Sequence, residues 1–95
     1  MSVHAVVLIQ CEIDEIDEAA QAIADLAGVS EVHSVAGEWD LVAIVRVPAH
    51  DDLAAAIPGG IAKVPGVART ETLISFQVTS RHDLERLFAI GFEDA

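Results

Sequence analysis

The chain has 95 residues, 53% of them hydrophobic and 22% charged, and 16 acids against 5 bases leave a formal net charge of −11. That length is one domain, and a domain so short buries only about 60–65% of its unfolded surface, yet its apolar fraction exceeds the usual 45–50% or so, which points to burial between subunits. The bases Arg46, Lys63, Arg69, Arg81 and Arg86 are scattered, which excludes direct nucleic-acid binding by this chain alone and argues against anionic membranes.

Residues Val3 to Ile9 form a β-branched run, too short to cross a membrane as a helix, that reads as a strand buried on both faces. From 14 to 27 the period changes: Ile16, Ala19, Ala20, Ile23, Leu26 and Ala27 paint one helical stripe, with Asp14 as N-cap, Glu15, Asp17 and Glu18 at the positive end of the dipole, and Gly28 as the stop. Val29 to Ala36 returns to extended spacing, and Gly37-Glu38 links it to a second run from Trp39 to Val47, which predicts a hairpin. Trp39, Leu41, Ala43, Val45 and Val47 fall on one face of that second strand, and Val42 and Ile44 on the other.

Pro48 stops the strand, and a second helix follows from His50 with Leu53, Ile57, Ile61 and Val64 near one face. Pro58-Gly59-Gly60 breaks it into a kink or two short helices. After Pro65-Gly66, residues 67–78 alternate, placing Ala68, Thr70, Thr72, Ile74, Phe76 and Val78 on one face. Ser80 with Asp83 resembles a capping box, and Leu84, Leu87 and Phe88 predict a short C-terminal helix over about 81–90.

Ala27-Gly28-Val29 and Pro65-Gly66-Val67 repeat one pattern, each after a helix and before a strand. The chain therefore reads as two βαβ halves forming one α+β domain over 1–95, with its core at about 3–78. The expected architecture is a ferredoxin-like βαββαβ sandwich: a four-stranded antiparallel sheet with two helices on one face. Two helices cover one side of such a sheet, so the apolar second side predicts dimers through sheet faces.

No HxH, HExxH, CxxC, P-loop or GxGxxG pattern is present, and His4, His33, His50 and His82 are far apart, so no metal, cofactor or catalytic group is expected. Cys11 has no partner for a disulfide, and Met1-Ser2-Val3-His4 lacks the basic start of a signal peptide, which predicts a cytoplasmic setting. The informative polar residues are Gly37-Glu38-Trp39-Asp40, which set carboxylates just before an apolar strand, and Thr70 and Thr72, which point the same way. A zwitterionic amino acid needs an acceptor for its ammonium group, donors for its carboxylate and an apolar wall, and these residue types supply the polar half; the alternative is that Asp40 only fixes the turn and the threonines only suit a strand.

Gly37-Glu38-Trp39-Asp40-Leu41 with its strand, followed by Val64-Pro65-Gly66-Val67-Ala68-Arg69-Thr70-Glu71-Thr72, resembles the effector-binding (RAM) domain of the Lrp/AsnC feast/famine regulators over about Val3 to Val78. The resemblance implies dimers paired through their sheets, rings of four or five dimers (octamer or decamer), and amino-acid effectors held between dimers. It also assigns roles by matching position: Asp40 to the ammonium group, backbone near Gly37 to the carboxylate, Thr70 and Thr72 to further polar contacts, with Glu38 and Trp39 in the same loop. Trp39 stands where Tyr or Phe is commoner, Ala36 where Thr is frequent, and Pro58-Gly59-Gly60 breaks the second helix. Full-length members carry an N-terminal helix-turn-helix, whereas Val3 already opens the first strand here, so the chain resembles the family's stand-alone domains. The expected role is an amino-acid sensor that is not an enzyme and acts on transcription by assembling with DNA-binding paralogues. A cofactor-free dimeric barrel monooxygenase, enlisting His4, His33 or Trp39, is the alternative class, and a purely structural oligomer is a third.

Overall fold

The structure, a computed structural model, describes residues 2–79. Strands β1 (Val3–Cys11), β2 (Val29–Ser34), β3 (Leu41–Val47) and β4 (Val67–Ser75) alternate with helices α1 (Ile16–Ala24) and α2 (Asp52–Ala56) in the order βαββαβ. The strands form one antiparallel sheet in the order β2-β3-β1-β4, so the first strand lies between the third and the fourth. This is the expected ferredoxin-like arrangement. The expected C-terminal helix lies outside the described residues.

The core is built on the odd positions of two strands. Ala5, Val7 and Ile9 of β1 and Leu41, Ala43, Val45 and Val47 of β3 pack with Ala19 and Ile23 of α1, Leu53 and Ala56 of α2, and Ile57, Ile61 and Val64 beyond it. The even residues of β1 are only half-buried, which corrects the reading of a strand buried on both faces. They belong to the side that no helix among the described residues covers, where cross-strand pairing sets Ile44, Val6 and Leu73 in one row and Val42, Leu8 and Glu71 in the next. Glu31, His33, Arg46, His4 and Arg69 surround this apolar centre, in which Leu73 is 50% exposed.

Helix boundaries differ from the periodic reading. The chain enters α1 through a 3-10 turn at Ile13–Glu15, Glu15 rather than Asp14 is the N-cap, and no side chain caps it. The break at Pro58-Gly59-Gly60 gives α2 and a separate 3-10 turn at Ile61–Lys63, as the sequence implied. Helix α2 is thereby so short that Ile74, on the helix side of β4, stays 44% exposed. A groove of about 550 Å³ remains between them, lined by His50, Leu53, Ile57, Pro58, Thr72 and Ile74 among others.

Strand β4 keeps the expected alternation only in part. Thr70, Thr72 and Ile74 pair with Ile9, Val7 and Ala5 on the helix side, but a bulge between the Arg69 and Val67 pairings leaves Ala68 outside the alternation. The strand ends at Ser75, so Phe76 and Val78 do not continue the face. Likewise β2 ends at Ser34 and β3 begins at Leu41, which makes residues 35–40 a loop and removes Trp39 from the core stripe.

The repeated glycine pattern has a shared geometry. The Val29 N–H donates to the Leu26 carbonyl at 3.2 Å and the Val67 N–H to the Val64 carbonyl at 3.1 Å, so each glycine is the third residue of a four-residue turn. Gly28 and Gly66 have φ of 91° and 94°, the left-handed value that the third position of a type II turn requires. Their carbonyls accept from Arg46 and Glu12 at 2.7 and 2.8 Å, which ties each turn to a neighbouring strand end.

A Cβ at Gly66 would meet Glu15 Cβ at 2.8 Å and one at Gly28 would meet Val47 Cγ1 at 2.9 Å, whereas Gly37, with φ 132°, has open space. Gly66→Ala and Gly28→Ala should therefore lower stability by more than the ~1 kcal/mol expected of Gly37→Ala, where backbone strain acts alone. Urea unfolding midpoints of the three variants measure this, and equal losses would contradict the steric argument.

Candidate functional site

The 35–40 loop is held against the end of β1 by three hydrogen bonds and closed on itself by a fourth. Asp40 donates its N–H to the Ile9 carbonyl at 2.9 Å and accepts the Val35 N–H on its own carbonyl at 3.1 Å. Its carboxylate Oδ2 accepts the Cys11 N–H at 2.9 Å, and the Gln10 side-chain amide donates to the Glu38 carbonyl at 2.8 Å. Asp40 is thus first a structural clamp, because it satisfies a backbone donor where β1 leaves the sheet. Of its two carboxylate oxygens, Oδ1 has no hydrogen-bond partner among the described residues.

Trp39 is half-buried and faces β4, where the Arg69 guanidinium carbon lies 4.6 Å from its ring centroid. Such cation–π contacts at exposed sites contribute about 0.5–1 kcal/mol. Arg69 also stands 3.8 Å from the Glu38 carboxylate, a long, solvent-facing ion pair of little energetic value. With Thr70 and Glu71 these residues line an open hollow of about 440 Å³ whose surface is mostly polar.

The structure brings Glu38, Trp39 and Thr70 together and keeps Thr72 apart. Thr72 lines the groove beside α2, and Gly37 sits exposed in the loop without lining either recess. Arg69 and Glu71 are the residues that sequence reasoning left out of the site. Their signal was alternation itself: the parity that sends Thr70 and Thr72 toward the helices sends Arg69 and Glu71 to the uncovered side. Gln10, opposite Arg69 on β1, needed the cross-strand register to be seen.

No three His, Cys, Asp or Glu side chains gather as a metal site among the described residues. No helix among them is long and apolar enough to cross a membrane. Cys11 lies behind the Asp40 clamp, and its thiol is pushed above the ordinary range, first by burial and then by the negative charges of Asp40, Glu12 and Glu15.

An antiparallel sheet with helices on one face makes this a small α+β domain, and a polar hollow lies open beside its hairpin loop. The chain belongs to the Lrp/AsnC family: residues 4–84 match the Lrp/AsnC ligand binding domain. An uncharacterized HTH-type transcriptional regulator of Pyrococcus horikoshii is 39% identical over 67 residues, covering 70% of this chain and 44% of that protein. The chain thus spans less than half the length of the regulators it matches. The crystal structure of TTHA0845 from Thermus thermophilus superposes with a TM-score of 0.78 at 40% identity, covering 83% of this chain and 99% of that one. The same fold occurs in a Neisseria meningitidis transcriptional regulator solved as an L-Met complex, at TM-score 0.73 and 11% identity over 83% of this chain and 53% of the other. This family is one of transcriptional regulators, not of enzymes, and the domain's role in it is regulatory ligand sensing.

The raised thiol means that Cys11 carries less thiolate in the folded chain than in the unfolded one. Any stability this gives is present at low pH and is lost as pH climbs through the folded value. Iodoacetamide at pH 8 should alkylate native Cys11 more slowly than the urea-unfolded chain, and Asp40→Asn should speed the native reaction by removing one charge. Asp40→Ala should cost about 1 kcal/mol in unfolding experiments by orphaning the Cys11 N–H. Native alkylation as fast as unfolded would contradict the burial argument.

Proposed function

We infer that this chain is an amino-acid sensor that acts in the cytoplasm as a homo-oligomer and regulates transcription through assemblies with DNA-binding relatives of its family. The observation that carries the reading is the uncovered face, where Val6, Leu8, Val42, Ile44 and Leu73 form an apolar centre framed by polar and charged residues. An apolar patch of that form on a regulatory domain is suited to a second sheet of the same kind, which would seal the core and place two hairpin loops at the rim. Dimers so formed would assemble into rings of four or five.

The effector is an amino acid on this reading, by analogy with the Neisseria regulator and its L-Met complex. Gly37, Glu38, Trp39, Asp40, Thr70 and Thr72 are the proposed contacts. The hollow beside Trp39 takes the polar head, and Thr72 contributes only where a neighbouring copy closes the groove beside α2. Binding acts on transcription if the ligand prefers one assembly over another. The acidic charge fits a chain that leaves DNA contact to its partners.

Light scattering with thermal unfolding, across the standard amino acids, tests this reading. A mass of several chains, and a midpoint raised by particular amino acids, are expected, because a ligand that binds only the folded assembly stabilises it. A monomer indifferent to all of them would overturn the reading. Leu8→Asp, in the middle of the apolar centre, should reduce the oligomer to single chains, and an unchanged mass would remove the sheet face from the interface. With so many like charges per chain, the oligomer should also dissociate more readily at low salt than at high salt, as a salt series of masses would reveal.

A further inference from the structure

The helical layer stops one strand short of the sheet it covers. Thr70, Thr72 and Ile74 pair with Ile9, Val7 and Ala5, which are buried under the helices, yet no residue of β4 is buried. The cause is local: Pro58-Gly59-Gly60 follows α2 after only five helical residues, and the space a longer helix would fill is the groove beside it. Leu53, Ile57, Pro58 and Ile74 give that groove its apolar wall, and His50 and Asp51 stand in its lining at the start of α2. An apolar recess on the helix side is not reached by a second sheet packed on the opposite face.

The chain leaves β4 beside this groove. Strands β3 and β4 run out at the same end of the sheet, where Val47 pairs with Val3 and Ser75 with His4, so α2 begins close to the place where the chain passes Ser75. The sequence then continues from Phe76 to Ala95. Within it Leu84, Leu87 and Phe88 share one helical stripe, and Arg81 precedes Leu84 by one turn on the same stripe. A linker of residues 76–80 reaches about 17 Å at most, and a helix over 81–90 extends about 15 Å, enough to run back along α2 and β4. Charge sets the direction: Arg81 and Arg86 are two of the chain's five bases, and Asp51 and Asp52 make the start of α2 acidic. The Thermus thermophilus structure is matched over 99% of its length by 83% of this chain, so part of this chain lies outside the fold the two share.

We propose that residues 81–90 fold back as a helix into the groove beside α2 of the same chain, with Leu84, Leu87 and Phe88 against Leu53, Ile57 and Ile74 and Arg81 toward Asp51, and so complete the helical layer over β4. The inference goes beyond the sensor reading and does not depend on it. It also bears on assembly: the segment and a neighbouring copy cannot fill one groove together, so the contact proposed for Thr72 forms only where the segment has left.

Amide hydrogen exchange of the full chain, read by mass spectrometry, tests the docking, with a synthetic peptide of residues 80–95 as the reference for an undocked segment. Amides of 84–90 should exchange about tenfold or more slowly in the chain than in the peptide, and Leu87→Asp and Ile74→Asp should each abolish that difference. Ile74 is 44% exposed, so the sheet tolerates the second change. Equal rates in wild-type chain and peptide would overturn the proposal, as would protection that survives in a folded Ile74→Asp, since the segment would then sit elsewhere. The occupant is identified by a Cys11→Ser chain carrying Ile74→Cys and Leu84→Cys, treated with a short bismaleimide over a dilution series. A link within one chain, independent of concentration, is expected. Links formed only between chains would give the groove to a second copy and overturn docking in the same chain, and absence of any link would overturn the placement of Leu84. The comparison of wild-type chain with peptide needs no variant, so it decides the matter even if a substituted chain does not fold.

Discussion

A four-stranded sheet has two faces, and the described residues hold enough helix for one. Helix α1 has nine residues and α2 only five, and together with the turn at Ile61–Lys63 they seal the odd positions of β1 and β3. Everything else in the molecule follows from the face that is left. Alternation along β1 and β3 puts Val6, Leu8, Val42 and Ile44 there, and none of them reaches full burial within the chain. A domain of this size has little hydrophobic stabilisation to spare, so leaving such residues in water is costly unless a second surface covers them.

The hairpin loop is the joint between that architecture and the site. Strand β1 ends where Cys11 turns away, and the Asp40 carboxylate takes the N–H exposed there. The same residue uses its backbone N–H and carbonyl to close the loop onto Ile9 and Val35. Trp39 is therefore presented toward β4 by a loop anchored at both ends, and the hollow has walls from the loop and from β4. The chemistry on offer is that of exposed charges and one aromatic plane, which suits reversible recognition of a small polar molecule.

Much of this was legible in the residues because two periods alternate so cleanly. The 3.6-residue stripe from Ile16 to Ile23 and the two-residue alternation of Leu41 to Val47 gave type and order, and Gly28 and Gly66 marked the same turn twice. The ends of elements were less legible. Asp14 has the chemistry of a cap, but the chain approaches α1 through a 3-10 turn that passes the cap to Glu15. Trp39 carries the right parity for the core stripe, yet the loop persists to Asp40 because Asp40 is pinned to Ile9. The bulge at Ala68 arises from pairing with Gln10 and Cys11, which no local pattern in β4 encodes. The same reason hid Arg69: its neighbours in space come from three separate stretches, and only the register of β1 brings them together.

The place of β1 in the sheet bears on how the molecule is made. It is made before the other three strands of the sheet, yet its partners on either side are the third and the fourth. Until β3 arrives it has no neighbour to pair with, and until β4 arrives one of its edges stays open while its side chains are among the most apolar in the protein. Local helix and hairpin contacts form early, but the sheet closes only once β4 has been made. A nascent chain stalled after β3 would thus expose an unpaired apolar edge, which makes β4 the guard against misassembly during translation.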